Sequence, residues 1–202
     1  MSKILADKLA DMISLTPKEY KAFCEIDRQF FVPEGFKYKA YDISAIPLDE
    51  DSTISSPLTV AKMTHYLDLE KVDSVLEIGC GSGYQAAILS KIVRRVFTID
   101  RICKLVEIAK ERFKKLNIYN VNTKCDDGRL GWKIFAPYDR ILLSAYIENI
   151  EKNLLNQIKD NGFILAPIKN KDKQIITKFY KNGNKEEIEE CEFVPIKKGI
   201  VK

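Results

Sequence analysis

The sequence predicts an α/β protein: a doubly wound sheet of about seven strands, mostly parallel, ending in a C-terminal antiparallel hairpin and preceded by an N-terminal helical arm. Three observations carry this reading. From Val72 to Ile168, short apolar runs alternate with segments of helical period. A glycine-rich turn, "GCGSG" at 79–83, joins the first apolar run to the first of these helices. Beyond residue 170, two strand-like runs flank "NGN" at 182–184, which has the composition of a tight hairpin turn.

Taken in order, "SKILADKLADMISL" spaces its apolar residues as a helix does. A second short helix is expected after Thr16, with Pro17 in its first turn. Residues 28–50, "RQFFVPEGFKYKAYDISAIPLDE", mix aromatics, prolines and a glycine, and read as an irregular, partly extended arm. "SPLTVAKMTHYLDL" reads as a helix with Ser56 as N-cap and Pro57 at its first position. Then come "VDSVLEI" as a strand, "GYQAAILSKIV" as a helix, "RRVFTID" as a strand and "ICKLVEIAKERFKKL" as a helix. "NVNTKC" and "YDRILLSA" are expected as strands, "NIEKNLLNQI" as a helix and "GFILAPI" as a strand. "KQIITKFYKNG" and "EEIEECEFVPI" form the terminal hairpin. The expected units are an arm at 1–56, a ligand-binding α/β core at 57–168 and a hairpin at 169–202 that completes the sheet. The whole is Rossmann-like.

Composition narrows the function classes. The chain has 202 residues, 46% of them hydrophobic, which suits one globular domain. A net charge of +4 is small and dispersed, so neither a nucleic-acid nor a membrane partner is expected. The N-terminus has no long apolar run, and a cytoplasmic monomer is the expectation. Cys24, Cys80, Cys103, Cys125 and Cys191 are odd in number and scattered, so reduced thiols are expected rather than a disulfide framework. With one histidine, His65, no metal site is expected.

"VLEIGCGSGY" places its turn after a strand and before a helix, where an open α/β sheet binds a nucleotide. Gly79, Gly81 and Gly83 allow a sharp turn and close approach of a ligand. Their G-x-G-x-G spacing is not that of a pyrophosphate loop, and no Lys follows as in a P-loop. Glu77 would repel a phosphate and favour a cationic ligand, such as S-adenosylmethionine with its amino and sulfonium groups. Asp100, with Arg101 beside it, ends the next strand, where a carboxylate meets ribose hydroxyls. Asp127 and Gly128 follow the strand after that, and an Asp there accepts from an exocyclic amine. These turns together favour S-adenosylmethionine, with a nicotinamide cofactor as the lesser alternative.

Several stretches then resemble the protein-L-isoaspartate O-methyltransferase family. "TISSP" resembles its T-I-S-x-P element, "RQFFVP" and "AYDISAIPL" its upstream arm, and "VLEIGCGSGYQAAIL" its glycine loop, including Tyr84 and Gln85. "DDGRLGW" followed by "APYD" and the late "EFVPI" resemble further elements, so the likeness runs from about residue 20 to the C-terminus. Two stretches depart from the pattern. "DEDS" at 49–52 adds acidic charge ahead of T-I-S, and "SAYIENI" replaces a segment of small residues and a proline.

The resemblance implies a repair enzyme. It moves a methyl group from S-adenosyl-L-methionine to the carboxylate of an isoaspartyl residue, leaving S-adenosyl-L-homocysteine; the ester collapses to a succinimide that reopens partly to normal aspartate. Ser55 would be the active-site serine, with Thr53, Ile54 and Ser55 covering the cofactor. An extended isoaspartyl peptide would be held by the arm and by "EFVPI", with Val194 and Pro195, and with Tyr146 and Glu148, on the substrate side. A carboxylate is already ionised at neutral pH, so no general base is needed. Ser55 then orients the acceptor and is not a nucleophile. A methyltransferase with another acceptor, or a non-catalytic cofactor-binding relative, are the alternatives. The plainer expectations are that Ser56 only caps a helix, Cys80 fills a loop position, Trp132 packs under the loop at 126–131, and "KERFKK" is a solvated helix face.

Overall fold

A computed structural model describes residues 1–49 and 52–202. Two helices open the chain, α1 (Ser2–Met12) and α2 (Pro17–Glu25). Leu5, Ala6 and Leu9 form the buried stripe of α1. Thr16 and Glu19 cap α2 reciprocally, and Pro17 stands in its first turn. Two 3-10 turns, Arg28–Phe31 and Glu34–Lys39, lead into a small antiparallel ribbon of β1 (Ile46–Asp49) and β2 (Ser52–Ile54). The arm therefore contains a strand pair that its mixed composition did not announce. Helix α3 (Pro57–Tyr66) follows, with Ser56 Oγ accepting from Thr59 N at 3.0 Å.

The α/β region runs β3 (Ser74–Ile78), α4 (Tyr84–Ser90), β4 (Arg95–Asp100), α5 (Cys103–Lys115), β5 (Val121–Cys125), β6 (Tyr138–Leu143), α6 (Lys152–Leu155) and β7 (Ile158–Asn170). The terminal hairpin is β8 (Lys173–Tyr180) and β9 (Lys185–Cys191), turning at Gly183 with φ +89°. One sheet takes the order β5-β4-β3-β6-β7-β8-β9. The first five strands of that order pair in parallel, and β8 and β9 antiparallel, as expected. All five residues of β3, and all of β4 but Arg95, are buried, because a parallel sheet is covered on both faces.

The two faces are covered differently. Buried side chains from α1 to α5, among them Leu9, Phe23, Met63, Ile88 and Phe113, pack on one. The other is covered by Tyr138, Leu154, Ile158 and the half-buried Trp132, packed on Phe97. Phe97 stacks on Phe135 with centroids 4.6 Å apart and meets Trp132 edge-on at 5.9 Å. Trp132 thus packs beneath its loop, as its place after "DDGRLG" suggested.

Four expectations need correction. Cys103 and Cys125 form a disulfide, because parallel pairing of β4 with β5 brings the start of α5 against the end of β5; Cys24, Cys80 and Cys191 are free. "EFVPI" does not continue β9, which stops at Cys191; its backbone turns to pair with residue 146. Helix α4 ends at Ser90, short of the expected Val93. The helix expected over 149–158 shrinks to the four residues of α6, because Ile158 already pairs with Tyr138. Among the described residues, no helix is long and apolar enough to cross a membrane, and no group of three or more His, Cys, Asp or Glu is placed to hold a metal.

Candidate active site

Strands β4 and β6 lie on opposite sides of β3, so the connections leaving β3 and β6 diverge and open a crevice at their carboxyl ends. Ile78 pairs with Ile99 and with Leu143, which puts Gly79, Asp100 and Ser144 at one level. Gly79 N donates to Ile99 O at 2.8 Å, and Ser144 N to Ile78 O at 2.9 Å. Gly79 takes φ +102°, and a Cβ there would meet Ser144 Cβ at 3.2 Å. The positive φ calls for glycine, and the close Ser144 contact adds to that preference.

Two adjoining cavities open here, sharing Thr53, Gly79, Gly81 and Ser144. The first is walled by Asp100, Arg101, Ile102 and Gly128 on one side and by Ala145, Val194, Pro195 and Ile196 on the other. Asp100 Oδ2 accepts from Gly81 N at 2.7 Å and Oδ1 from Ile102 N at 3.0 Å, which fixes the carboxylate at the lip of the loop. Burial pushes its pKa up, against those N–H groups. Gly128 packs so closely on β3 that a Cβ would lie 2.4 Å from Ile78 Cγ2. The second cavity is walled by Ile54, Ser55, Glu77, Cys80, Tyr84 and Gln85.

Glu77 is the strongest electrostatic feature. It is fully buried, one residue before the carboxyl end of β3. Thr98 Oγ1 donates to its Oε2 at 2.5 Å, while Oε1 has no partner. Burial pushes the carboxyl up from 4.5 to about 8; the Thr98 hydrogen bond opposes the rise and Asp100 adds to it. The partnerless Oε1 lies in a group that also lines a cavity; a ligand ammonium there would satisfy it and draw the carboxyl into its ionised form. The residues present therefore fit a cationic amino-acid ligand.

Other expected residues fall elsewhere. Gly83 (φ +87°) lines neither cavity; it lets the loop pack on α5, where a Cβ would meet Phe113 Cζ at 2.9 Å. Asp127 also lies off both walls. Its carboxylate accepts from Arg129 Nη2 at 2.7 Å and from Gly199 N at 3.0 Å. Burial would raise its pKa, but Arg129 and Gly199 hold it low. Val194 and Pro195 do wall the first cavity. Tyr146 reaches it only through backbone: its N donates to Val194 O at 2.8 Å, and its carbonyl accepts from Ile196 N at 2.9 Å. Its ring lies under Lys169 Nζ, 5.0 Å from the centroid. Glu148 is exposed and lines a separate cleft with Lys169, Lys171 and Lys185. Of "DEDS", Glu50 and Asp51 lie outside the described residues, whereas Ser52 lines the first cavity.

Cys80 is buried and its thiol is pushed well up by burial, so it is an inert loop residue. Ser144 and Ala145 wall the site without having been singled out, and Phe193 and Ile196 do so as part of the "EFVPI" segment expected on the peptide side. Ser144 was within reach of the rule that ligands bind at strand carboxyl ends. Phe193 and Ile196 arrive by a long-range pairing that no local signal announces.

Comparison with known proteins agrees with this architecture. The family model "Protein-L-isoaspartate(D-aspartate) O-methyltransferase (PCMT)" matches residues 2–200. A protein-L-isoaspartate O-methyltransferase of Helicobacter pylori is 46% identical over 201 residues, covering 98% of this chain and 96% of its own. One from Vibrio cholerae is 39% identical over 206 residues, covering 98% and 99%. A solved protein-L-isoaspartate O-methyltransferase superposes with a TM-score of 0.89 at 29% identity, over 99% of this chain and 67% of that one. A Plasmodium falciparum chain solved with S-adenosyl-L-homocysteine shares the fold at 20% identity, with a TM-score of 0.86 over 97% of this chain and 98% of its own. With the match extending from the arm through the crevice to the last residues, this chain belongs to the protein-L-isoaspartate(D-aspartate) O-methyltransferase family.

Proposed function

We infer that this chain transfers methyl groups from S-adenosyl-L-methionine to the carboxylate of isoaspartyl residues in damaged proteins, releasing S-adenosyl-L-homocysteine, as the first step of repair. The observation that carries the reading is that Ser55 and Glu77, far apart in sequence, wall one cavity together with the glycine loop. An acceptor-orienting hydroxyl and a cation-receiving carboxylate thereby meet at a single place.

In this reading Glu77 receives the ligand's ammonium, Asp100 its ribose, and Gly79, Gly81 and Gly128 give the close approach. Arg101 lies along the same wall. Asp127 supports that wall by holding Arg129 and the Gly199 N–H. When bound, the cofactor supplies a methyl group made electrophilic by its sulfonium. Ser55 donates a hydrogen bond to one oxygen of the acceptor carboxylate and so aims the other. Thr53 and Ile54 exclude water from above. No proton needs to be removed, so positioning and desolvation carry the rate; orientation can supply several kcal/mol, up to about 10. Val194 and Pro195, with the backbone of Tyr146, face the peptide.

Functionally, residues 1–56 cover the site, 57–168 bind the cofactor, and 169–202 complete the sheet and the peptide side. The proposed form is a cytoplasmic monomer with no nucleic-acid or membrane partner; light scattering and cell fractionation test it. The activity itself is tested with radiolabelled S-adenosylmethionine on an isoaspartyl peptide and its normal aspartyl twin. Label on the first alone is expected. Equal labelling of both, or of neither, overturns the reading.

A further inference from the structure

Arg28 is fully buried, yet no carboxylate lies within ion-pair distance of it among the described residues. Its guanidinium donates only to backbone. Nη1 reaches Ala40 O at 3.0 Å and Asp42 O at 3.5 Å; Nη2 reaches Ser44 O and Ser55 O, each at 3.1 Å. Its Nε finds no acceptor. The Tyr84 ring lies below it, 5.9 Å from the guanidinium carbon, and the Tyr84 hydroxyl is likewise buried without a partner. Burial pulls the Arg28 pKa down. A cation held in the interior by carbonyls alone is costly, so its arrangement calls for a purpose beyond packing.

The last of those acceptors points to it. Ser55 is held from three sides. Ile54 before it pairs with Ile46, Ser56 after it caps α3, and its own carbonyl is gripped by Arg28. The same fork holds the chain at 40–44 that leads into β1.

We propose that Arg28 is a positioning residue for methyl transfer: by fixing the Ser55 carbonyl and the 40–44 backbone together, it sets where the Ser55 hydroxyl points over the acceptor. This rests on the reading of Ser55 as the group that orients the acceptor carboxylate. Lysine does not substitute, because one ammonium cannot span carbonyls that a planar five-donor fork joins.

The test is a double-mutant cycle of Arg28→Lys and Ser55→Ala, with kcat and KM for an isoaspartyl peptide and the affinity for S-adenosylhomocysteine. Arg28→Lys alone is expected to lower kcat about 30-fold, within the range that small misplacements cause, with S-adenosylhomocysteine affinity within about threefold. In the Ser55→Ala background the same change should lower kcat less than about twofold, because residues acting through one another are not additive. An equal loss in both backgrounds, or no loss in kcat, overturns the proposal. If Ser55→Ala alone leaves kcat unchanged, the reading of Ser55 fails first, and this proposal with it. Where Arg28→Lys does not fold, Arg28→Ala refolded with added guanidinium supplies the comparison. Recovery of kcat with Ser55 present and none with Ser55→Ala is expected; equal recovery in both, or recovery in neither, overturns it.

Discussion

The crevice has two halves that are built by different means. The half proposed for the cofactor consists of the carboxyl ends of β3, β4 and β5 and the turns that leave them: Gly79 and Gly81, Asp100 and Arg101, Gly128. Each residue stands where its own strand ends, so strand order alone brings them together. The half proposed for the acceptor is gathered from the arm, from 144–145 and from 193–197. Those segments are held by contacts that span the chain, such as Tyr146 N to Val194 O and Arg28 Nη2 to Ser55 O. A ligand site can thus be local in sequence on one side and wholly tertiary on the other.

That contrast can be broken by experiment. The largest effect in activity is expected on the acceptor side. Ser55→Ala should lower kcat about 100-fold, near 2.7 kcal/mol of transition-state stabilisation, with S-adenosylhomocysteine affinity nearly unchanged. If cofactor affinity falls as steeply, the halves are not separable. The next effect is on the cofactor side. Glu77→Gln should weaken S-adenosylhomocysteine binding about tenfold, the cost of one charge-assisted hydrogen bond.

Glu77 also sets a pH signature. Its folded pKa is raised from 4.5 to about 8, so the folded ligand-free protein keeps a proton that the unfolded chain releases. Its contribution to stability is therefore full below 4.5 and is lost as pH rises toward about 8. Ligand ammonium favours the ionised form, so binding below that pH should release a proton. Calorimetry in two buffers of different ionisation heat measures it, and Glu77→Gln should abolish it. Equal heats in both buffers would remove Glu77 from the ammonium site.

Gly83 sharpens the boundary of the cofactor half. Gly83→Ala forces a side chain into φ +87° and against Phe113, so urea unfolding should show a loss of about 1–3 kcal/mol. Turnover by the folded fraction should stay within about threefold of the parent, since the residue supports the loop from behind. The smallest change is expected from Glu148→Gln, which points into another cleft; kcat/KM should move less than about twofold. A larger fall would bring that cleft into the peptide path.

Legibility in the sequence follows the same division. The α/β alternation, the start of α2 after Thr16, the capping of α3 by Ser56, and the hairpin at Gly183 were readable because each is decided within a few residues. The glycine loop, Glu77 and Asp100 were readable for that reason too. The β1–β2 ribbon, the turning away of residues 193–196 and the Cys103–Cys125 disulfide were not. The ribbon is local, but its prolines and mixed composition mask the strand pattern; the other two depend on which segments the seven-stranded sheet makes neighbours. Asp127 shows the intermediate case. Its place after β5 was correct, but Arg129, two residues on, occupies the carboxylate that the strand-end rule reserved for a ligand.

The aromatic packing behind the crevice has an optical consequence. Trp132 is the chain's single tryptophan. It rests on Phe97, beneath Lys124 Nζ at 5.6 Å, at the end of the loop that begins with the cavity-lining Gly128. Indole emission therefore arises from one place, four residues from the cavity-lining Gly128. Titration with S-adenosylhomocysteine should change its intensity or wavelength without any introduced label, giving the protein a built-in signal for occupancy of its own site.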